Sequence, residues 1–342
     1  MSGAIEEEAA VDRTRDRSSG RFGGPGPTRL APHRGRRIIR LALAALAMPV
    51  ASIAAAQAPC GEPMGECRVA SGTYHVSLPD PPARGGAGTD RGPALLFFHG
   101  AGRSGAQTMR DRAFVRQFNR RGYAVISPNG LARPGSRFGP GWSFLPGRAR
   151  QRDELAFARE VLADASARFS IDRERILVGG FSVGGSLVWY LACEDRGLGR
   201  AYAPVSGAFW RTRDGAIPGA RDCSGPVDMF HTHGWRDETV PLEGRPLGDA
   251  SILQGDVFAS LAVLREVNGC AGLKADRFSG DGRFLQRWWT ACESGAALRF
   301  ALHPGAHEVP PGWAGMAIDW FASLPARSSP ERQGGRGGGG EE

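Results

Sequence analysis

A serine in a glycine-rich turn near the middle of the chain has the setting of a nucleophile. Gly180-Phe181-Ser182-Val183-Gly184 fits the pattern G-x-S-x-G, in which a sharp strand-to-helix turn exposes the serine oxygen. Apolar runs at 176–178 and 186–192 predict a buried strand before the turn and a buried helix after it. The backbone N–H of Val183 would then face the oxyanion that forms on a substrate carbonyl. Because the chain has 50 glycines, the pentapeptide alone does not distinguish a reactive serine from an ordinary turn.

A nucleophilic serine needs a general base, and the base needs an acid that holds its tautomer. Asp237 follows an apolar run at 227–232, and His307 follows an apolar run at 297–302. The histidine would take the proton of Ser182 and return it to the leaving group, while the aspartate would stabilise the imidazolium. The spacing therefore predicts a catalytic triad of Ser182, Asp237 and His307.

Each partner of the serine has a rival in the sequence. His303 ends the last predicted strand directly, whereas His307 lies on the loop beyond it, where the base usually lies, so His307 is favoured. Asp228 lies inside a predicted strand, and Glu238 would point away from its neighbour Asp237, so Asp237 is favoured as the acid. The sequence leaves both rivalries open.

A second glycine-rich turn follows another apolar run. Residues 94–98 are typical of a strand that is covered on both faces, and His99-Gly100-Ala101-Gly102 follows directly. A turn at the carboxyl end of a central strand can supply a second oxyanion N–H, and Ala101 is the candidate. His99 and His233 each precede a glycine in such a turn, and we expect both to have structural roles.

Apolar runs that suit strands alternate with helical patterns along the chain. Strands are predicted at 72–78, at the sheet edge, and at 94–98, 123–127, 176–178, 202–206, 227–232 and 297–302, and helices at 109–121, 153–169, 186–192, 256–267 and 313–324. This alternation predicts an α/β fold, with a largely parallel sheet flanked by helices, in a single domain at 57–326. Active groups in such sheets lie beyond the carboxyl ends of strands, where the three triad residues are expected.

The N-terminal part of the chain is typical of an export signal. Residues 1–34 are polar and lack an apolar period, so we expect a disordered extension there. A basic segment precedes a short apolar run at 41–53 and an Ala-Ala-Ala cleavage site, which predicts a signal peptide at 35–56 and a secreted or periplasmic protein. The apolar run is too short for an ordinary membrane span, so no stable membrane anchor is expected. The Gly- and Arg-rich tail at 327–342 is predicted to be disordered.

Export into an oxidising compartment changes how the cysteines are interpreted. All six follow the predicted cleavage site, and an even number there favours disulfides. Spacing alone does not determine the pairing, but proximity and position favour Cys60–Cys67, Cys193–Cys223 and Cys270–Cys292. The last pair would brace the segment that presents His307.

The net charge of +8 does not by itself indicate a polyanionic partner. The basic residues are spread along the chain and nearly all are arginine, so nucleic-acid binding is not expected. His231 and His233 share a strand face but have no third ligand at close spacing, so no metal site is expected. The sequence leaves the oligomeric state open.

Several motifs together resemble the polyhydroxybutyrate depolymerase-like esterases, which are close to feruloyl and acetyl-xylan esterases. The matching segments are Phe98-His99-Gly100, Asp153 to Phe157, Ile171 to Ile176, Gly180 to Gly185, His233 to Pro241, and Gly305 to Trp313. The resemblance spans roughly residues 60–325. It implies an α/β-hydrolase fold and a serine carboxylesterase that uses no cofactor and acts on a small or polymeric ester.

Two tryptophans on Pro/Gly-rich loops near catalytic strand ends, Trp142 and Trp313, are the candidate substrate-binding residues. Flat aromatic walls suit a short acyl chain or a phenolic ring. The predicted substrates are therefore short-chain, polyhydroxyalkanoate-type, acetyl or hydroxycinnamoyl esters. Two other classes remain open: a serine peptidase of the prolyl-oligopeptidase type, and a non-catalytic binding protein on the same fold.

Overall fold

The computed structural model of this protein describes most of the predicted catalytic domain. The described residues are 58–62, 64–79, 91–132, 139–145, 149–219, 223–247, 252–272, 274–293 and 295–325. The predicted extension at 1–34, signal peptide at 35–56 and tail at 327–342 lie outside the described residues. Within the described ranges, no helix combines the length and the apolar character that crossing a membrane requires.

A large sheet with a parallel centre forms the middle of the domain. The described strands are β1 Glu66–Val69, β2 Gly72–Ser77, β3 Gly92–Phe98, β4 Ala124–Pro128, β5 Ile171–Phe181, β6 Ala201–Val205, β7 Arg211–Thr212, β8 Met229–Gly234, β9 Arg245–Leu247, β10 Ile252–Gln254, β11 Arg277–Gly280, β12 Leu285–Trp289 and β13 Leu298–His303. The order across the large sheet is β1-β2-β4-β3-β5-β6-β8-β13-β12-β11, while β7, β10 and β9 form a small separate sheet. The strands from β4 to β13 pair in parallel, and the two strands at either end are antiparallel. The predicted α/β fold with a mostly parallel sheet is confirmed.

Helices cover both faces of the sheet. They are α1 Gly105–Arg110, α2 Arg112–Asn119, α3 Glu154–Arg168, α4 Val183–Glu194, α5 Val257–Val267 and α6 Trp313–Ser323. Leu96 and Phe98 of β3 pack in the core that includes α3, α4 and α5, whereas Leu95 and Phe97 pack in the core that includes α1, α2 and α6. Successive strand residues point to opposite faces, so the unbroken apolar run of β3 supplies both cores.

Two of the predicted elements are corrected by the structure, and six described strands were not predicted: β1, β7, β9, β10, β11 and β12. The strand predicted at the sheet edge is not at the edge, because β1 pairs antiparallel with β2 on its outer side. The single helix predicted at 109–121 is divided into α1 and α2 at Asp111. The side chain of Asp111 accepts the N–H of Phe114, which is a cap that starts a new helix and satisfies a donor that the helix itself leaves unpaired.

The structure contains three disulfides, between the cysteines that the sequence analysis pairs. Cys60 pairs with Cys67, Cys193 with Cys223, and Cys270 with Cys292. The last pair lies between the end of α5 and the start of β13, the strand that leads to His307.

Candidate active site

Ser182 lies in a strained turn between β5 and α4. Its backbone has φ 59° and ψ −124°, a positive-φ conformation that is costly for any residue with a side chain. A Cβ on Gly180 would lie 2.5 Å from the carbonyl oxygen of Gly184, and a Cβ on Gly184 would lie 2.2 Å from that of Phe98. Both flanking positions therefore need glycine, and the turn has the geometry that the G-x-S-x-G pattern predicts.

Asp237 and His307 meet beyond the ends of two neighbouring strands. Asp237 follows β8, and His307 follows β13, which pairs in parallel with β8. Nδ1 of His307 lies 2.8 Å from Oδ2 of Asp237, so the Nδ1–H donates to the carboxylate and leaves Nε2 to act on another group. The ring of Phe181, the residue before Ser182, lies 4.7 Å from the His307 ring between centroids. The imidazole therefore lies beside the serine turn.

The carboxylate of Asp237 is buried and held from two sides. Its Oδ1 accepts the backbone N–H of Thr239 at 3.0 Å and that of Val240 at 2.8 Å. Burial alone would raise the pKa of Asp237, but the hydrogen bonds from His307 and Val240 outweigh it and hold the pKa below its ordinary value. The acid is therefore ionised at neutral pH and able to stabilise an imidazolium.

The rival residues are engaged elsewhere. His303 is buried at the end of β13, where its Nδ1 accepts a backbone N–H two residues further on and burial lowers its pKa. Asp228 forms an ion pair with an arginine, and Glu238 is exposed. The structure thus places His307 rather than His303 in hydrogen-bond contact with Asp237.

The turn after β3 lies against the serine. A Cβ on Gly100 would lie 3.3 Å from the Cβ of Ser182, so the absence of a side chain lets the two turns approach closely. Ala101 follows Gly100 and is exposed, and Val183 begins α4 directly after the serine. The two predicted oxyanion donors, Ala101 and Val183, therefore belong to the two segments that meet at Ser182.

His99 is fixed by hydrogen bonds at both ring nitrogens. Its Nδ1 lies 2.8 Å from the carbonyl oxygen of Gly100, and its Nε2 accepts the N–H of Gly130 at 3.0 Å. Since Nε2 accepts, the proton of the neutral ring lies on Nδ1 and is donated to Gly100. Burial lowers the pKa of His99 to about 4, so the ring is neutral at neutral pH. This geometry gives His99 a structural role.

Trp142 and Trp313 lie in the core, where a substrate does not reach them. Their exposed fractions are 1% and 0%. Trp142 packs edge-on against Phe98 and donates its Nε1–H to the carbonyl of His99 at 2.9 Å. Trp313 packs among the phenylalanines of β3 and α2. A side chain without exposed surface cannot stack on a substrate, so the role assigned to both from the sequence is corrected to core packing.

A cleft of about 260 Å³ opens beside His307 and the turn after β3. Its apolar lining comes from three phenylalanines and a valine, Phe97, Phe114, Phe181 and Val309. Its polar lining includes Arg103, Gln107, Asp111 and Glu308. Sequence reasoning did not assign these side chains to the site, although Phe181 directly precedes the serine and could have been found from that position.

Two histidines lie behind Asp237. Nε2 of His233 lies 2.7 Å from the carbonyl oxygen of Val240, to which it donates, and 3.4 Å from Oδ2 of Asp237. Nδ1 of His233 lies 3.1 Å from Nε2 of His231. Burial lowers the pKa of both rings. The residues considered as metal ligands in the sequence therefore engage protein groups around the turn that carries the acid.

The sequence matches a known hydrolase family and known esterases. The family described as Phospholipase/Carboxylesterase matches residues 87–247, which include Ser182 and Asp237. A probable feruloyl esterase C of Aspergillus terreus is 26% identical over 187 residues, which cover 54% of this chain and 57% of that protein. A bifunctional acetylxylan esterase/xylanase of Neocallimastix patriciarum is 23% identical over 148 residues, or 43% of this chain and 20% of that protein. The chain spans about half the length of the curated feruloyl esterases that it matches.

Solved structures share the architecture. An S-formylglutathione hydrolase from Agrobacterium tumefaciens gives a TM-score of 0.53 at 12% identity, covering 76% of this chain and 93% of that one. An acetyl xylan esterase from Aspergillus awamori gives a TM-score of 0.52 at 13% identity, covering 73% of this chain and 93% of that one. At these identities the likeness establishes a common fold.

Proposed function

We propose that this chain, which has an α/β-hydrolase fold, is an exported serine carboxylesterase for short-chain or hydroxycinnamoyl esters. One observation carries the proposal: His307 donates to the buried carboxylate of Asp237 beside the strained turn of Ser182. A histidine oriented by a carboxylate and placed next to a serine at a sharp turn is the arrangement that activates a hydroxyl for acyl transfer.

In the proposed reaction, Nε2 of His307 takes the hydroxyl proton as Oγ of Ser182 attacks the carbonyl carbon of the ester. The N–H groups of Val183 and Ala101 stabilise the charge that forms on the carbonyl oxygen. The ester C–O bond then breaks, and His307 gives its proton to the departing alcohol. A water molecule, deprotonated by His307, hydrolyses the acyl-serine, and Ser182 recovers its proton. Asp237 stabilises the imidazolium in both halves of the reaction.

The cleft supports a small acyl group as the substrate. Its volume of about 260 Å³ lies just below the roughly 300–1,000 Å³ that ligand pockets span. Phe114 and Phe181 offer apolar and aromatic surface to a short chain or a phenolic ring. Arg103 and Gln107 offer hydrogen-bond donors to its hydroxyl groups. The feruloyl and acetylxylan esterase names of the relatives support the same chemistry.

The three disulfides support export, because such bonds persist in oxidising compartments and are rare in the cytosol. The signal peptide proposed at 35–56 would supply the route. Intact-mass measurement of protein recovered from the culture medium or periplasm tests this part, since cleavage after Ala56 fixes the expected mass.

A panel of substrates tests the activity. The purified protein is assayed with p-nitrophenyl acetate, butyrate and laurate, with methyl ferulate, with a hydroxybutyrate ester and with a peptide p-nitroanilide. We expect turnover of the acetyl, butyryl or feruloyl esters, little with laurate, and a loss on the order of 10⁴-fold in Ser182→Ala. Ser279→Ala, which changes an exposed serine on β11, is the matched control. A preference for laurate or for the amide, or an active Ser182→Ala, would contradict the proposal.

A further inference from the structure

We propose that Trp142 and His99 act together as positioning residues that hold the Gly100–Ala101 peptide with its N–H directed toward Ser182. The inference rests on the proposed function, because it concerns the second oxyanion donor of that site. It gives a role to two side chains that are buried, with exposed fractions of 2% for His99 and 1% for Trp142.

We call the hydrogen bonds that His99 and Trp142 make to this turn the brace. The first of its contacts is made by the imidazole of His99. The neutral ring donates from Nδ1 to the carbonyl oxygen of Gly100, and its other nitrogen accepts the N–H of Gly130. The ring therefore cannot rotate, or exchange its tautomer, without losing a hydrogen bond. The Gly100 carbonyl is held a second time by the N–H of Arg103 at 3.2 Å.

Fixing this carbonyl also fixes the next N–H. All the described peptide bonds are trans, so the C=O of Gly100 and the N–H of Ala101 point in opposite directions. Because the carbonyl of Gly100 points toward His99, the N–H of Ala101 points away from His99, at the opposite edge of the same peptide group. Gly100 itself lies against Phe181 and Ser182, which places this peptide next to the nucleophile.

The second contact comes from the long loop between β4 and α3. The indole N–H of Trp142 donates to the carbonyl of His99 at 2.9 Å, so the peptide before Gly100 is also held. The same loop accepts the N–H of Gly102 through the carbonyl of Pro140 at 2.9 Å. The indole ring packs on the His99 ring with centroids 4.8 Å apart. The loop thus holds each end of the turn that carries Ala101.

This rigidity matters because an oxyanion donor works only if it is aimed before the charge forms. Loss of a whole oxyanion donor costs on the order of 10²–10³-fold in kcat. A loosened donor keeps substrate binding and loses part of that stabilisation, so kcat should fall while KM stays nearly constant.

Two pairs of variants test the brace in the full-length protein. Trp142→Phe keeps a buried ring and removes the N–H, and we expect kcat for p-nitrophenyl acetate to fall about 10-fold with KM unchanged. Trp189→Phe is the matched control, because Trp189 is equally buried and donates its Nε1–H to the carbonyl of Gly207 at 3.0 Å. Trp189→Phe should lower the melting temperature by about as much as Trp142→Phe does, but it should change kcat little.

The second pair concerns the imidazole. His99→Leu should lower kcat about 100-fold, whereas His99→Asn, which keeps a donor near the position of Nδ1, should recover about 10-fold of that loss. Inhibition by a trifluoromethyl ketone, which forms an oxyanion on Ser182, should weaken in proportion to kcat/KM.

The outcomes separate the brace from the proposed function. If wild-type protein hydrolyses no ester, the proposed function is wrong and the brace is wrong with it. If wild-type protein is active and Trp142→Phe keeps full kcat, or loses no more than Trp189→Phe, the brace alone is overturned. A raised KM with unchanged kcat would also overturn it, since that pattern indicates substrate contact rather than positioning.

Discussion

Two histidine–glycine turns at strand ends hold different parts of the candidate site, and they are built in the same way. His99-Gly100 follows β3, and His233-Gly234 ends β8. Both glycines are closely packed: a Cβ on Gly100 would make a tight contact of 3.3 Å with the Cβ of Ser182, and one on Gly234 would lie 2.1 Å from the carbonyl oxygen of Ala306, which leaves no room for a side chain. In each turn an imidazole N–H holds a backbone carbonyl near a catalytic group. The first turn carries Ala101, the proposed oxyanion donor, and the second precedes Asp237, the proposed acid.

The two turns differ in how the second ring nitrogen is satisfied. His99 accepts a backbone N–H there, whereas His233 faces the ring of His231, whose own Nδ1 lies 3.2 Å from the carbonyl oxygen of Pro204. Two neutral rings carry two N–H groups, but this chain makes three contacts between Pro204 and Val240. One contact therefore lacks a proton. The oxyanion turn is held by complete hydrogen bonding, and the acid turn by an arrangement that is one proton short.

The largest expected effect on kcat comes from removing the negative charge of Asp237, which follows the second turn. Asp237→Asn can still accept the two backbone N–H groups at Oδ1, but its amide N–H faces His307 and forces the other tautomer. We expect kcat to fall on the order of 10⁴-fold with little change in folding. Steady-state kinetics with p-nitrophenyl acetate check this, and Glu238→Gln at the exposed neighbour is the control. A loss below about 10-fold would mean that Asp237 is not the acid.

Acid should destabilise the fold, and His99 should account for a measurable part. Burial lowers its pKa from 6.5 to about 4, so the unfolded chain binds more protons than the folded one between these pH values. The contribution of neutral His99 to the free energy of unfolding is therefore complete above about pH 6.5, and it is lost as the pH falls toward 4. From pH 7 to pH 5 the loss from His99 is about 2 kcal/mol.

Urea unfolding of wild-type protein and His99→Leu at both pH values measures this loss. The variant should lose about 2 kcal/mol less than wild type on acidification, whatever its stability at neutral pH. Buried His231 and His233, whose pKa values are also lowered, contribute to the remaining acid sensitivity with the same sign. If the two proteins lost the same free energy of unfolding on acidification, the folded state would not lower the pKa of His99, and this prediction would be wrong.

The comparison of the two turns predicts unequal losses of activity. His233→Leu frees the carbonyl of Val240, but Asp237 keeps both backbone donors, so kcat should fall only about 10-fold. His99→Leu should cost about 100-fold, because the peptide it holds carries the oxyanion donor. Kinetics of both variants under the same conditions decide the ranking. If His233→Leu lost more kcat than His99→Leu, the conclusion that the turn after β3 matters more for the reaction would be wrong.

The smallest effect on activity is expected at Trp313. Its Nε1 has no hydrogen-bond partner among the described residues, and its buried ring packs behind Phe97 and Phe114 without lining the cleft itself. Trp313→Phe should therefore lower stability through lost packing and leave kcat and KM within about twofold of wild type. A clear rise in KM would restore the substrate-binding role assigned to this residue from its sequence position.

Much of the fold and the geometry of the site could be predicted from local patterns. The apolar strands, the cap at Asp256 and the strand-end positions of Asp237 and His307 follow from residue types at fixed spacing. The inward course of the loop that carries Trp142 could not be predicted, because its contact with His99 spans 43 residues. The edge position of β1 was also missed, since short strands gain stability from pairing rather than from their own composition.

The aromatic surface of the cleft shows the same limit. Tryptophans on Pro/Gly-rich loops indicated exposed rings, but both rings turn into the core. Phe114 and Phe181 line the cleft instead. Burial of a side chain is set by elements that are distant in sequence, so composition alone gave the wrong residues.

Labelling with a fluorophosphonate probe, followed by peptide mapping, tests the triad most directly. The probe phosphonylates an activated serine, so wild-type protein should carry it on Ser182. His303→Ala should be labelled at nearly the wild-type rate, and His307→Ala should lose labelling by a factor on the order of 10³ or more. Labelling of another serine, or labelling that depends on His303 and not on His307, would contradict the triad of Ser182, Asp237 and His307.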